Sequence, residues 1–141
     1  MKSFAEEAEH NFRNVTYIKN PNETEKREIM INSDLFIFPS WIENYSVTTV
    51  EAQLRGLPAI VLDCAPLRNI VKNEITGNLL REPYLVTKIM EKINKYYQIW
   101  KTEYKSYIKM RLNISEQTTR LCKDKINPEF YKMLKEFLDN S

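Results

Sequence analysis

The chain has 141 residues, a length typical of one domain with its own hydrophobic core. Its net charge of +2 is too small to indicate a nucleic-acid partner, and no apolar run approaches the length of a membrane span. With 43% hydrophobic residues, the composition is that of a globular protein rather than a disordered one. No apolar secretory signal is visible at the N-terminus, so we expect a cytoplasmic protein in which Cys64 and Cys122 are free thiols.

The first half of the chain alternates short apolar runs with stretches of helical periodicity. The predicted elements are strands at 15–18, 35–38, 59–62 and 78–80, and helices at 23–32, 45–55 and 66–73. The expected N-caps of the first two helices are Asn22 and Ser46. The apolar runs beginning at Leu35 and Ala59 are continuous, which is typical of strands buried on both faces. This alternation predicts an α/β fold with a parallel sheet flanked by helices.

Glycine is scarce, which makes its two positions informative. Gly56 and Gly77 each follow a helical stretch and precede an apolar run. Since glycine adopts the backbone conformation that ends many helices, we expect both residues to terminate helices.

The second half of the chain is predicted to be helical. One apolar stripe at helical spacing consists of Leu85, Ile89, Ile93, Tyr96 and Trp100. A further helix is expected from about residue 104, and a last one from about residue 127. Residues 88 to 125 include ten Lys and Arg, four Asp and Glu, and interleaved tyrosines. Such a surface is either a solvated helical face or a docking surface for anionic lipid or nucleic acid. A lipid-linked acceptor would favour a peripheral contact at the inner face of the membrane.

The most informative chemistry lies between residues 39 and 51, where a predicted strand leads into a helix. Parallel sheets bind ligands in the loops at the carboxyl ends of their strands. Amides at a helix start suit phosphate, and ionised carboxylates accept hydrogen bonds from vicinal hydroxyls. Glu43 precedes the predicted helix and Glu51 lies inside it, which suits a diphosphate flanked by two sugars. Alternatively, Glu43 is a solvated loop residue and Glu51 caps a neighbouring helix.

Several segments around these carboxylates follow one pattern. They are the run SDLFIFPS at 33–40, Glu43 with Tyr45, EAQLRGLPAI at 51–60, and TGNLL at 76–80. Together they resemble the C-terminal donor-binding domain of the group 1 family of retaining glycosyltransferases, which have two facing Rossmann-like domains, the GT-B fold. The resemblance implies a Rossmann-like parallel sheet flanked by helices, followed here by a helical C-terminal part.

The resemblance also implies a role for each carboxylate. Glu43, the candidate catalytic residue, would contact the transferred sugar of a nucleotide-diphosphate sugar, and Glu51 would contact the ribose. Amides at the helix start would hold the diphosphate, and the backbone near residues 18 to 20 would lie by the base. The implied donor-binding residues are Glu43, Asn44, Tyr45, Ser46, Val47, Thr48 and Glu51. No metal ion or other cofactor is implied.

Four positions depart from the family pattern. Asn44 replaces a residue that is usually small, and Ser46 replaces a glycine, so phosphate would approach the backbone less closely. A glycine expected near Lys19 is missing, and Asn69 occupies a position often held by glutamate.

The resemblance further implies a larger enzyme. Residues 1–141 would be a single domain, a partial C-terminal nucleotide-sugar-binding domain, whose first strand and basic diphosphate ligands lie elsewhere. The acceptor domain would be supplied in cis or by another chain. We therefore expect part of a hexosyltransferase of polysaccharide biosynthesis, acting on a glycan or lipid-linked acceptor and inactive alone. The alternative is a non-catalytic nucleotide-sugar-binding or interaction module.

Four other residues invite a functional interpretation. Trp41 is interpreted as a packed loop anchor rather than a stacking platform for a ligand. His10, the only histidine, stands in a polar segment and is interpreted as solvated. Cys64 is expected to be a small buried side chain, and Asp63 could reach the ligand from the same loop.

Overall fold

The computed structural model describes residues 7, 10–11, 13–125 and 132. The chain divides into two compact units, Met1–Asn32 and Ser33–Ser141. That both units belong to one domain stays a prediction.

The first unit contains helix α1, Glu23–Ile31, which confirms the predicted helix. The side chain of Asn22 accepts a hydrogen bond from the Glu25 amide at 2.9 Å, and the Glu25 carboxylate accepts one from the Asn22 amide at 2.8 Å. This reciprocal capping satisfies two amides that the helix itself cannot bond.

The strand predicted at 15–18 is wrong. The backbone there joins no sheet among the described residues, and Val15 and Ile18 are exposed. A β-branched composition favours a strand only when a partner strand and a packing surface are present.

The second unit is a parallel sheet with helices. Its strands are β1 Phe36–Phe38, β2 Ala59–Leu62 and β3 Gly77–Leu80; its helices are α2 Val47–Leu54, α3 Ala65–Ile70, α4 Leu85–Thr102 and α5 Tyr104–Lys125. The strands lie side by side in the order β1-β2-β3. Ala59 of β2 is level with Phe36 of β1 and with Gly77 of β3. The predicted α/β fold with a helical C-terminal part is confirmed. The helix predicted from about residue 127 lies outside the described residues.

The core forms two clusters, one on each face of the sheet. Alternate residues of β2 point to opposite faces, as the pleat requires. Ala59 and Val61 belong to the cluster that includes residues of α2 and α3, and Ile60 and Leu62 to the cluster with α4. Every β2 residue is at most 1% exposed, which confirms a strand buried on both faces.

Burial of β1 on both faces is a wrong prediction. Ile37 is 39% exposed, and its neighbours on the strand are only partly buried. β1 lies at one end of the three-strand order, whereas β2 has a strand on either side. An apolar run therefore indicates a strand without fixing how completely it is covered.

The two glycines have different roles. Gly56 has φ +75°, and a Cβ there would lie 2.6 Å from the Arg111 carbonyl oxygen, so it ends α2 as predicted. Gly77 instead begins β3, and the prediction that it terminates a helix is wrong. A Cβ at Gly77 would overlap the Ala59 carbonyl, so glycine is needed for close approach of two backbones.

Helix α5 is tied to the site-bearing part of the unit by two side chains. The Tyr107 hydroxyl donates to the Asp34 carbonyl at 2.7 Å, just before β1. The Ser115 hydroxyl donates to the Leu54 carbonyl at 2.7 Å, at the end of α2. These bonds attach α5 to β1 and to α2, the two elements that the candidate loop connects.

Candidate functional site

The candidate site is the loop from residue 39 to residue 46 together with the start of α2. The loop leaves the carboxyl end of β1, where parallel sheets present their ligand-binding loops. Glu43 is half-buried within it, whereas Asn44 and Tyr45 are exposed. The structure therefore confirms the predicted strand, loop and helix order around the candidate residues.

The start of α2 is organised by a pair of hydroxyl groups. Ser46 occupies the N-cap position and is 3% exposed, but its side chain bonds no backbone amide. Its Oγ lies 2.7 Å from Oγ1 of Thr49, a hydroxyl-to-hydroxyl hydrogen bond. Ser46 is thus the N-cap residue that the sequence predicts, but not through the expected side-chain bond.

The amides of this helix start are not equally available. The Val47 amide donates to the Tyr45 carbonyl at 2.9 Å. The next two amides, of Thr48 and Thr49, have no acceptor among the described residues, as is general for the first turn of a helix. An anion approaching α2 would find its donors at these two positions and the positive end of the helix dipole behind them.

The two carboxylates occupy different environments. Glu43 lies in the loop, and Glu51 lies one turn inside α2 between Val50 and Ala52, which are both fully buried. Glu51 is 6% exposed, and its Oε2 atom is shielded from solvent. An ionised carboxylate only accepts hydrogen bonds, and in a buried position its oxygens need donors from the protein or from a ligand.

Two large hydrophobic side chains of the loop are exposed to solvent. Trp41 is 53% exposed and Ile42 is 88% exposed, so the interpretation of Trp41 as a packed anchor is wrong. The short loop after β1 has no described element to cover the indole. Partial burial raises the pKa of the Tyr45 hydroxyl, and the nearby Cys122 thiol of α5 raises it further.

Asp63, the other acid considered for the ligand, is held by two arginines. Its carboxylate accepts hydrogen bonds from Nε of Arg68 and Nε of Arg81, and its side chain is 6% exposed. The hydrogen bond from Arg68 is the main cause that lowers the pKa of Asp63.

Sequence reasoning missed both arginines, although one signal was present. Leu62 and Leu80 pair across neighbouring parallel strands, so the residues that follow them, Asp63 and Arg81, end at the same edge of the sheet.

The remaining candidates have simple environments. Cys64 is partly buried against the core and Cys122 is fully buried, and both are free thiols, as predicted. His10 is exposed. Within the described part of the chain, no group of three His, Cys, Asp or Glu side chains is placed to hold a metal ion. No helix among the described residues is long and apolar enough to cross a membrane.

The fold and the site define a Rossmann-like protein that presents a helix start and two carboxylates at the carboxyl end of a strand. The family model of the glycosyl transferases group 1 matches residues 2–120. The chain therefore belongs to the group 1 glycosyltransferase family, and this membership supports glycosyl transfer as its general activity. Comparison with curated proteins finds no match.

Proposed function

We propose that this chain is the donor-binding part of a group 1 glycosyltransferase with the GT-B fold. It binds a nucleotide-diphosphate sugar for retaining transfer of a hexosyl group to a glycan or lipid-linked acceptor. The observation that carries the proposal is the start of α2, where the amides of Thr48 and Thr49 have no acceptor among the described residues and stand in the chain between the loop carboxylate Glu43 and the buried carboxylate Glu51.

Each group of the site suits one part of such a donor. The amides of Thr48 and Thr49 suit the diphosphate, because the first amides of a helix have no acceptor within it and bind anions. Glu51 suits the ribose, since two vicinal hydroxyls can donate to one carboxylate. Glu43, in the more open loop, suits the hydroxyls of the transferred sugar. The side chains of Asn44 and Tyr45, which follow Glu43 in the loop, shape the approach of the donor to this site.

The site lacks one requirement of the chemistry. Residues 39 to 54 include no Lys, Arg or His, whereas a departing diphosphate needs positive charge to stabilise it. We propose that the cations come from the opening part of the donor-binding domain, in cis or in another chain, and that a facing domain supplies the acceptor. The chain alone should therefore bind its donor weakly and show no sustained turnover.

Two matched variants test these roles by calorimetric titration. Glu43→Gln should weaken binding of the nucleotide sugar and leave binding of the corresponding nucleoside diphosphate unchanged. Glu51→Gln should weaken both ligands, because ribose is common to them. Glu116→Gln, on the exposed face of α5, is the control for loss of a carboxylate. Equal effects of Glu43→Gln on both ligands would refute the assigned role.

A non-catalytic nucleotide-sugar-binding or interaction module is the second candidate. The observation that favours it is the crowded helix start, where the Val47 amide is already bonded and Ser46 stands at a position that is glycine in the family pattern. Absence of binding to UDP, GDP, ADP, CDP and dTDP at millimolar concentration would select an interaction module. Binding without turnover after a facing domain is supplied would select a sensor.

The location of the reaction is part of the proposal. Two free thiols fit a reducing compartment such as the cytoplasm. A peripheral contact at the inner face of the membrane would bring a lipid-linked acceptor to the site. Tyr96 and Tyr107 are buried, so Tyr97 and Tyr104 are the tyrosines of α4 and α5 left to make that contact. Vesicle co-sedimentation that does not depend on anionic lipid would remove this part of the proposal.

A further inference from the structure

A cleft of about 640 Å³ extends along β3, from the carboxyl ends of β2 and β3 to the residues that precede β3, and is lined on another side by helix α4. We call it the β3 cleft. The charged residues that line it are Asp63, Arg68, Glu74, Arg81, Lys88, Glu91 and Lys92. Neither Glu43 nor Glu51 lines it, so the proposed donor site leaves it without a role.

At one end of the cleft, a buried carboxylate fixes two arginines. Asp63 bonds Nε of both Arg68 and Arg81, and Nη2 of Arg68 also donates to the Asp63 carbonyl at 3.3 Å. Bonding through Nε leaves outer guanidinium nitrogens for a ligand, and the two side chains remain 52% and 73% exposed. Two cations around one carboxylate leave one positive charge in excess.

A second cluster of one carboxylate and two cations is built on Glu74, just before β3, and two of its members, Glu74 and Lys92, line the cleft. Glu74 accepts from Lys92 and from Lys95, each at 2.7 Å, which again leaves one positive charge in excess. These hydrogen bonds lower the pKa of Glu74 to about 2, so the carboxylate stays ionised and holds its lysines at neutral pH.

Lys88 adds a further donor to the cleft. Its ammonium group donates to the Arg81 carbonyl at 2.8 Å, which leaves donor capacity, since an ammonium has three N–H groups. The charge of Glu91 offsets that of Lys88, so the two clusters determine the net charge of the cleft.

We propose that the β3 cleft binds a phosphate ester group. The cleft lining carries one positive charge in excess, and Lys95, bonded to Glu74, adds a second from outside the lining. This charge favours an anion such as a phosphate monoester, which carries about −1.5 to −2 charges at pH 7. Exposed guanidinium nitrogens match phosphate oxygens in geometry, and a lysine adds a point charge. Because carboxylates already hold the cations in place, a ligand would immobilise little that is not already ordered. The phosphate belongs either to a soluble ester or to a lipid headgroup.

The test is an NMR titration of the isotope-labelled 141-residue chain with inorganic phosphate and with pyrophosphate, at constant ionic strength. We expect shifts at the amides following β2 and β3 with millimolar affinity. Arg81→Gln and Lys88→Gln should each weaken binding by roughly tenfold, the value of one charged hydrogen bond. Arg120→Gln, which removes an exposed carboxylate-paired arginine from α5, should have no effect. Arg81→Lys should bind phosphate more tightly than Arg81→Gln but more weakly than wild type, since lysine keeps the charge without the paired N–H donors of a guanidinium.

The outcomes separate this inference from the donor site. Shifts confined to the start of α2 would overturn the β3 cleft and leave the donor proposal standing. Equal affinity of wild type, Arg81→Gln and Lys88→Gln would also overturn it. Arg81 also contacts Asp63, so a thermal melt accompanies each variant. Lys88→Gln, whose lost bond is to a backbone carbonyl, decides the question if Arg81→Gln unfolds.

A second arm identifies the source of the phosphate. Vesicles of phosphatidylcholine with phosphatidic acid are sedimented with the wild-type chain and with Lys88→Gln. Co-sedimentation that Lys88→Gln reduces assigns the cleft to a lipid headgroup. Phosphate binding in solution without co-sedimentation assigns it to a soluble ester.

Discussion

The role of Glu51 can be tested by one isosteric substitution. Glu51→Gln keeps the shape of the side chain and one acceptor oxygen, and replaces the other oxygen with a donor. Hydrogen bonds to a charged acceptor contribute about 1.5–3 kcal/mol, and a residue that is 6% exposed loses little of this to competing water. We therefore expect the Kd of the nucleoside diphosphate to rise roughly 10- to 150-fold.

The effect should depend on the ligand hydroxyls. A 2′,3′-dideoxynucleoside diphosphate cannot donate to Glu51, so its Kd should be the same for wild type and for Glu51→Gln. Isothermal titration calorimetry with both ligands gives the coupling between the carboxylate and the hydroxyls directly. Urea unfolding should show a change within about 1 kcal/mol, since the substitution is isosteric.

Two results would refute the reasoning. An equal loss of affinity for the ribose and dideoxy ligands would mean that Glu51 organises α2 rather than contacts ribose. Unchanged affinity for both would mean that the ribose lies elsewhere. Glu116→Gln should bind both ligands as wild type does, which controls for the change in net charge.

Three further predictions concern stability. Gly77→Ala should destabilise the fold by more than about 3 kcal/mol in urea unfolding, because its methyl group would overlap the Ala59 carbonyl; a wild-type midpoint would contradict this. Tyr107→Phe should lower the free energy of unfolding by about 1–3 kcal/mol and the Tm by several degrees, because it leaves the Asp34 carbonyl before β1 without its donor. The control Tyr104→Phe, at an exposed position, should change neither quantity. The pKa of Glu74 falls from 4.5 to about 2 on folding, so the stability that its carboxylate contributes is present above pH 4.5 and is lost as the pH falls toward 2. Urea unfolding measured between these pH values should therefore show a weaker pH dependence of stability in Glu74→Gln than in wild type.

Local sequence signals predicted the elements that depend on local physics. Asn22 and Glu25 form the capping arrangement that their three-residue spacing favours. Gly56 ends α2 with positive φ, and the continuous apolar run at 59–62 forms strand β2. In each case, the residues that decide the structure lie within a few positions of one another.

The errors occur where tertiary neighbours decide. The strand predicted at 15–18 has the right composition but joins no sheet among the described residues. Gly77 is required because another backbone approaches it, and the local pattern is silent about that approach. Ser46 is a separate case, because the hydroxyl that bonds its side chain belongs to Thr49, only three residues along the chain.

One tertiary contact could have been predicted from the sequence, and it bears on both proposed sites. Residues that directly follow adjacent parallel strands meet at one edge of the sheet, so the positions of Asp63 and Arg81 follow from the register of β2 and β3. The same edge carries the helix start after β1, which offers amides and carboxylates but no cation. Asp63 holds Arg68 and Arg81 through Nε, and these arginines line the β3 cleft, whose lining includes neither Glu43 nor Glu51. Glu51→Gln should therefore affect nucleotide affinity alone, and Lys88→Gln should affect inorganic phosphate affinity alone. A loss of both affinities in either variant would mean that one continuous site spans the edge.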